Sequence, residues 1–252
     1  MNTRFRTLTA AGNALLLTLG VALLAACGGG GGGNSSPPSI ALSGTAATGR
    51  ALPNAALGIV CARGSTSAST NASGAFQATL AADAPCLITA TSGTTVLHST
   101  AFAGGTFNVT PETELLLVYV AAQLGTTEAN LIATFSGNTR FQQTLANEST
   151  VLAAQAAVVQ GLDTQYHLTL SVTNFLTTAF VVGQSGVDSD LEALLAAGAI
   201  DSNGEPDPVA VTLMTTLGAQ HPLSSTPVTP PGSTSGTGST GIGTGGGAGG
   251  MM

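Results

Sequence analysis

Three histidines, three cysteines, twelve acids and five arginines are what this 252-residue chain has for chemistry; it contains no lysine and no tryptophan. His98, His167 and His221 stand far apart, and no H-E-x-x-H, paired-cysteine or His-rich spacing links them into a metal or catalytic motif. Each reads as a packed or solvated side chain. Asp163 and His167, four apart on a helical stretch, can orient an imidazole, although the same pair is common on exposed helix faces. Gly183-Gln184-Ser185-Gly186 approaches a nucleophile elbow but lacks the G-x-S-x-G spacing and the strand-to-helix turn that would expose the serine. A small hydrolase using Ser185 with His167 or His221 is therefore the alternative function, not the leading one.

No metal site and no cofactor are expected. The stretch that comes nearest to a cation site is the acidic turn at 201–207, where Asp201, Asn203, Glu205 and Asp207 offer oxygens of the kind Ca²⁺ takes, with Asp188 and Asp190 a short helix away. Its glycine, Gly204, is fourth in the run, whereas an EF-hand loop has glycine sixth. Asn-Gly turn chemistry and helix-capping acids account for the same residues.

Absences exclude several classes. Without lysine there is no P-loop ATPase, no ordinary kinase and no Schiff-base enzyme. Beyond residue 26 the chain keeps Arg50, Arg63 and Arg140 against twelve acids, a net charge of −9, so no nucleic-acid partner is expected. The G-x-G-x-x-G match at 236–241 lies in a Gly/Ser/Thr tail with no strand before it and is read as chance.

The cysteines carry more information. Arg4 and Arg6 precede a 13-residue apolar run at 14–26, too short for a permanent membrane span and suited to an export signal. The run ends in Leu24-Ala25-Ala26-Cys27, which resembles the lipobox of bacterial lipoproteins. The resemblance covers the first 27 residues. It implies that Cys27 is diacylated and becomes the mature N-terminus, anchored in a membrane. Gly28 rather than Asp follows it, which in that family implies the outer membrane, with the body facing the periplasm or the cell surface. Residues 27–39 then form a Gly-rich tether, roughly 20 Å end to end as a flexible coil. In such an oxidising compartment Cys61 and Cys86, both on inward strand phases, are expected to form a disulfide.

The elements that hold these residues divide at Thr110. Residues 40–110 alternate apolar and polar side chains in short runs at 40–44, 55–63, 75–80, 86–91, 95–102 and 106–110, with Asn71-Ala72-Ser73-Gly74 as a hairpin turn. Six or seven such strands predict an antiparallel β-sandwich. Residues 111–223 shift to helical period. Thr110 caps a helix that starts at Pro111, carries Glu112 and Glu114 in its first turn and ends at Gly125. Thr127 opens a second at 127–135, a third runs 148–160 to Gly161, Ser189-Asp190-Leu191-Glu192 is a capping box for one that closes at Gly198, and Asp207-Pro208 opens a last one ending near Gly218. The fold class expected is α+β: a sandwich domain at 40–110, a mainly helical domain at 111–223 and a disordered tail at 224–252.

A second resemblance lies in the strand region. Gly44-Thr45-Ala46, Pro53-Asn54-Ala55-Ala56-Leu57 and Thr70-Asn71-Ala72-Ser73-Gly74-Ala75-Phe76 are similar to the carboxypeptidase regulatory-like domain, a transthyretin-like β-sandwich, over about 70 residues. Asn71 stands where that pattern has Asp. With Thr110-Pro111-Glu112-Thr113-Glu114-Leu115 following, the chain also resembles proteobacterial envelope lipoproteins. The resemblance implies a non-catalytic accessory module, so the expected function is a lipid-anchored envelope protein with a structural or binding role. Its expected partners are the membrane through its lipid, and an envelope protein or glycan.

Overall fold

A computed structural model of the chain describes residues 37–224. The export signal, Cys27, most of the tether and the tail expected to be disordered lie outside the described residues.

Seven strands come first: β1 (Ser39–Thr45), β2 (Ala56–Arg63), β3 (Ser65–Ser69), β4 (Ala75–Ala81), β5 (Asp83–Ser92), β6 (Thr95–Ala101) and β7 (Gly105–Thr106). They form two sheets, ordered β4-β1-β7 and β3-β2-β5-β6. In β2 the period of two is carried out in full: Leu57, Ile59 and Cys61 are buried while Ala56, Gly58 and Val60 are exposed. Cys61 and Cys86 sit directly opposite one another on β2 and β5 and are joined by a disulfide. β5, central in its sheet, buries both faces from Cys86 to Ile88 and resumes alternation from Thr89 to Thr91.

Two expectations about these strands are corrected. Asn71 and Gly74 do make a tight turn, in which the Asn71 side chain accepts from the Ser73 and Ala75 N–H groups, but its flanking strands pair with different partners, β3 with β2 and β4 with β1. The turn is a corner between sheets and not a hairpin. The sheets are also not wholly antiparallel, because β7 runs parallel to β1. The strand expected at 106–110 shrinks to Gly105–Thr106 plus a bridge at Val109, since the backbone and side chain of Asn108 are diverted elsewhere. Fully buried, Asn108 donates to the carbonyls of Phe175 and Thr178 and accepts from Thr45 N–H, tying the long loop before residue 187 to the sheet.

Six helices follow among the described residues: α1 (Pro111–Gln123), α2 (Glu128–Thr134), α3 (Thr139–Ala146), α4 (Glu148–Tyr166), α5 (Val187–Ala196) and α6 (Pro208–Gln220). Thr110 caps α1 as its sequence predicts, Oγ1 accepting from Thr113 N–H while Thr113 Oγ1 accepts from Thr110 N–H. α1 is buried all round from Leu115 to Ala122, packed against β6, α4 and α6. No single described helix is long and apolar enough to cross a membrane.

The helix ends differ from expectation where packing overrules local punctuation. α4 runs through Gly161 to Tyr166, because Gly161 lies against α6: a Cβ there would stand 2.8 Å from Leu217 Cδ1. α6 ends at Gln220, near the expected Gly218, and Gly218 lies against α1: a Cβ there would stand 2.4 Å from the Tyr119 carbonyl oxygen. α5 starts at Val187 with Gly186 as cap, so Ser189 is its third residue and bonds back to Gly186 N–H at 3.0 Å rather than opening the helix. α3 had no counterpart in the sequence reading. It buries Phe141 and Leu145 against β5 and β6.

The change of period at Thr110 is a change of element type within one core. Leu42 and Phe76 of one sheet, Phe107 just beyond β7, Ile59, Ile88 and Leu97 of the other sheet, and Leu116, Val158, Leu191 and Met214 of the helices join a single buried apolar cluster.

Candidate functional site

The site begins at an open sheet edge. β6 is the last strand of its sheet, and its outward N–H and C=O groups need partners. They find side chains. Val96 N–H donates to Glu205 Oε1 at 3.0 Å, His98 N–H donates to Glu114 Oε2, and Thr113 Oγ1 donates to the His98 carbonyl at 2.8 Å. The first turn of α1 and the acidic turn at 201–205 thus close the edge, and the first of these brings the Glu114 carboxylate to His98.

Three side chains meet there from three elements. His98 Nδ1 of β6 lies 3.1 Å from both carboxylate oxygens of Glu114 on α1 and 4.0 Å from Glu128 Oε1 on α2. Their side chains are 17, 13 and 18 % exposed, which leaves the cluster half-sheltered at the surface. Glu128 Oε1 is inaccessible to solvent and has no hydrogen-bond partner. Burial, then the charge of Glu114, pushes the Glu128 carboxyl up to about 10. Among the described residues this is the one trio of His, Cys, Asp or Glu whose ligand atoms all lie within 4.8 Å of one another.

No known protein family, curated protein or solved structure matches the chain. What the arrangement can do therefore rests on its own chemistry. An imidazole nitrogen and two carboxylates, drawn together with one oxygen left unpaired, can share protons or bind a divalent cation.

The residues singled out in the sequence are placed elsewhere and apart. Ser185 lines a cleft of about 390 Å³ with Val172, Phe180, Val181 and Val187, and no histidine lines it. His221 borders a different cleft of about 320 Å³, with Tyr119, Leu213 and Leu217. His167 ends α4 in a left-handed conformation, φ 55°, and Asp163 Oδ1 accepts from Leu170 N–H rather than from its ring.

In the acidic turn each candidate calcium ligand has a local task. Asp201 Oδ1 accepts from Glu205 and Asn203 N–H at 3.0 and 2.8 Å, bonds that pull its carboxyl below the ordinary value. Asn203 Nδ2 donates to Asp201 Oδ2, Glu205 caps the β6 edge, and Asp207 caps α6 through Val209 N–H. Asp188 and Asp190 are buried loop anchors, the latter accepting from Ser171 and Val172 N–H.

The trio was missed because its members lie 16 and 30 residues from His98, spacings set by the β6–α1–α2 path and by no short motif. Glu114 and Glu128 also had a sufficient local explanation as first-turn acids at positive helix ends. A histidine in a strand a short way before an acid-opened helix was the only available signal, and it is a faint one.

Proposed function

We propose that the protein is a lipid-anchored cell-envelope module without enzymatic activity, offering structural or binding contacts to an envelope protein or glycan. The observation that carries this reading is the Cys61–Cys86 disulfide at the heart of the sheet pairing. Such bonds persist in oxidising compartments, and the order Arg4, Arg6, apolar run, Leu24-Ala25-Ala26-Cys27 reads as an address to one. Seven strands in two sheets with a common core support a transthyretin-like sandwich of the carboxypeptidase regulatory-like kind. Helices packed into that core make the display surface a joint product of both halves.

Fractionation with mass analysis of the N-terminal peptide tests the anchor. Wild-type protein is expected in the outer membrane with lipid mass on Cys27, and Cys27→Ser is expected to leave uncleaved or soluble precursor. Soluble periplasmic wild type without lipid would overturn the anchor. A screen of ester and peptide substrates is expected to be silent; turnover that disappears in Ser185→Ala would establish the hydrolase instead.

A further inference from the structure

We propose that His98, Glu114 and Glu128 form a binding site for a divalent transition-metal cation of the zinc class, clamping the starts of α1 and α2 to the open edge of β6. Geometry is the first support. Two donors each about 2.1 Å from one ion at a tetrahedral angle lie about 3.4 Å apart. The observed separations from His98 Nδ1, 3.1 Å to Glu114 Oε1 and 4.0 Å to Glu128 Oε1, bracket that spacing. The three ligand atoms all lie within 4.8 Å of one another, so side-chain adjustment brings them onto one centre.

Orientation is the second. Glu114 Oε2 is held by the His98 backbone N–H, which fixes the carboxylate beside the ring nitrogen, 3.1 Å from both oxygens; metal-ligating carboxylates are positioned by such outer hydrogen bonds. The third support is an unmet need. Glu128 Oε1 is shut off from water, accepts no hydrogen bond and faces the imidazole nitrogen beside a second carboxylate. A cation at the centre supplies that oxygen with a partner.

The donor set selects the ion class. Imidazole with two carboxylates suits Zn²⁺ and its neighbours, whereas Ca²⁺ takes six to eight oxygens and Mg²⁺ keeps an octahedral shell largely of water. With the side chains 13–18 % exposed, water can complete the coordination.

The inference does not rest on the lipid anchor, and its test is separable. The full chain, purified and stripped with a chelator, is titrated with ZnSO₄ by calorimetry and with Co²⁺ by visible absorption. One Zn²⁺ per chain is expected, with a Co²⁺ spectrum typical of nitrogen and oxygen donors and a rise in melting temperature on loading. Glu128→Gln, which keeps the shape of the side chain, is expected to weaken Zn²⁺ binding by about 100-fold or more while retaining the circular dichroism of wild type. His98→Gln is expected to do the same. The double variant His167→Gln with His221→Gln, and Cys27→Ser, are expected to bind as wild type does. Absence of stoichiometric Zn²⁺ binding, or affinity unchanged in Glu128→Gln and His98→Gln, would overturn the site and leave a plain imidazole–carboxylate pair. Zn²⁺-dependent hydrolysis would uphold the site and overturn the non-enzymatic function.

Discussion

Glu112 is the least water-accessible of the buried acids, and that burial makes it sensitive to pH. It is 1 % accessible, neither carboxylate oxygen has a hydrogen-bond partner, and burial, reinforced by the charge of Asp190, holds its carboxyl well above the ordinary value. A folded-state value raised above the unfolded 4.5 means that stability is fully present below about pH 4.5 and is lost as pH rises toward the folded value. In that window the loss is about 1.4 kcal/mol per pH unit. Glu112→Gln, neutral throughout, is expected to match wild type near pH 4.5 and to be increasingly more stable at pH 6 and 8. Urea denaturation of metal-free protein at these three values measures it. Parallel pH profiles for the two proteins would show that Glu112 is not the titrating group.

At the scale of elements, two glycines inside helices make a contrast. Alanine is intrinsically better than glycine in a helix by about 1 kcal/mol, so Gly→Ala stabilises unless the new Cβ collides. At Gly218 it would lie 2.4 Å from the Tyr119 carbonyl oxygen and 2.8 Å from Ala122 Cβ, groups that move only if α1 and α6 separate. At Gly161 it would meet the mobile ends of Leu217 and Met214, 2.8 and 2.9 Å away. Gly218→Ala is therefore expected to destabilise by about 1–3 kcal/mol, and Gly161→Ala to lie within about 1 kcal/mol of wild type. Equal effects in chemical denaturation would refute this account of how the helices approach.

The whole molecule determines what the disulfide does. Closing a 25-residue separation stabilises by about 3 kcal/mol on the chain-entropy account. Because sheets and helices share one core, reduction is expected to lower the unfolding midpoint of both together, in one transition seen alike by tyrosine fluorescence from Tyr119 and Tyr166 and by circular dichroism. Two transitions, with only the strand signal sensitive to reduction, would return residues 40–110 and 111–223 to independent folding units. Non-reducing peptide mapping is expected to recover Cys61 joined to Cys86.

What the sequence by itself determined is what depends on neighbours along the chain. The alternation of Leu57, Ile59 and Cys61 set the inward face of β2, and Thr110-Pro111 set the start of α1, because side-chain direction in a strand and unpaired N–H groups at a helix start are local matters. The pairing of Cys61 with Cys86 was legible for the same reason, both cysteines lying on inward phases of strands that proved adjacent. Tertiary structure decided the rest. Asn71–Gly74 looks identical whether its strands pair with each other or with others, Gly161 ends a helix locally but fits between two helices in space, and Asn108 gives no sign that it will hold Phe175 and Thr178. The meeting of His98 with Glu114 and Glu128 belongs with these: each acid had a complete local role, and only packing α1 and α2 against an unpaired strand edge put both carboxylates beside one imidazole.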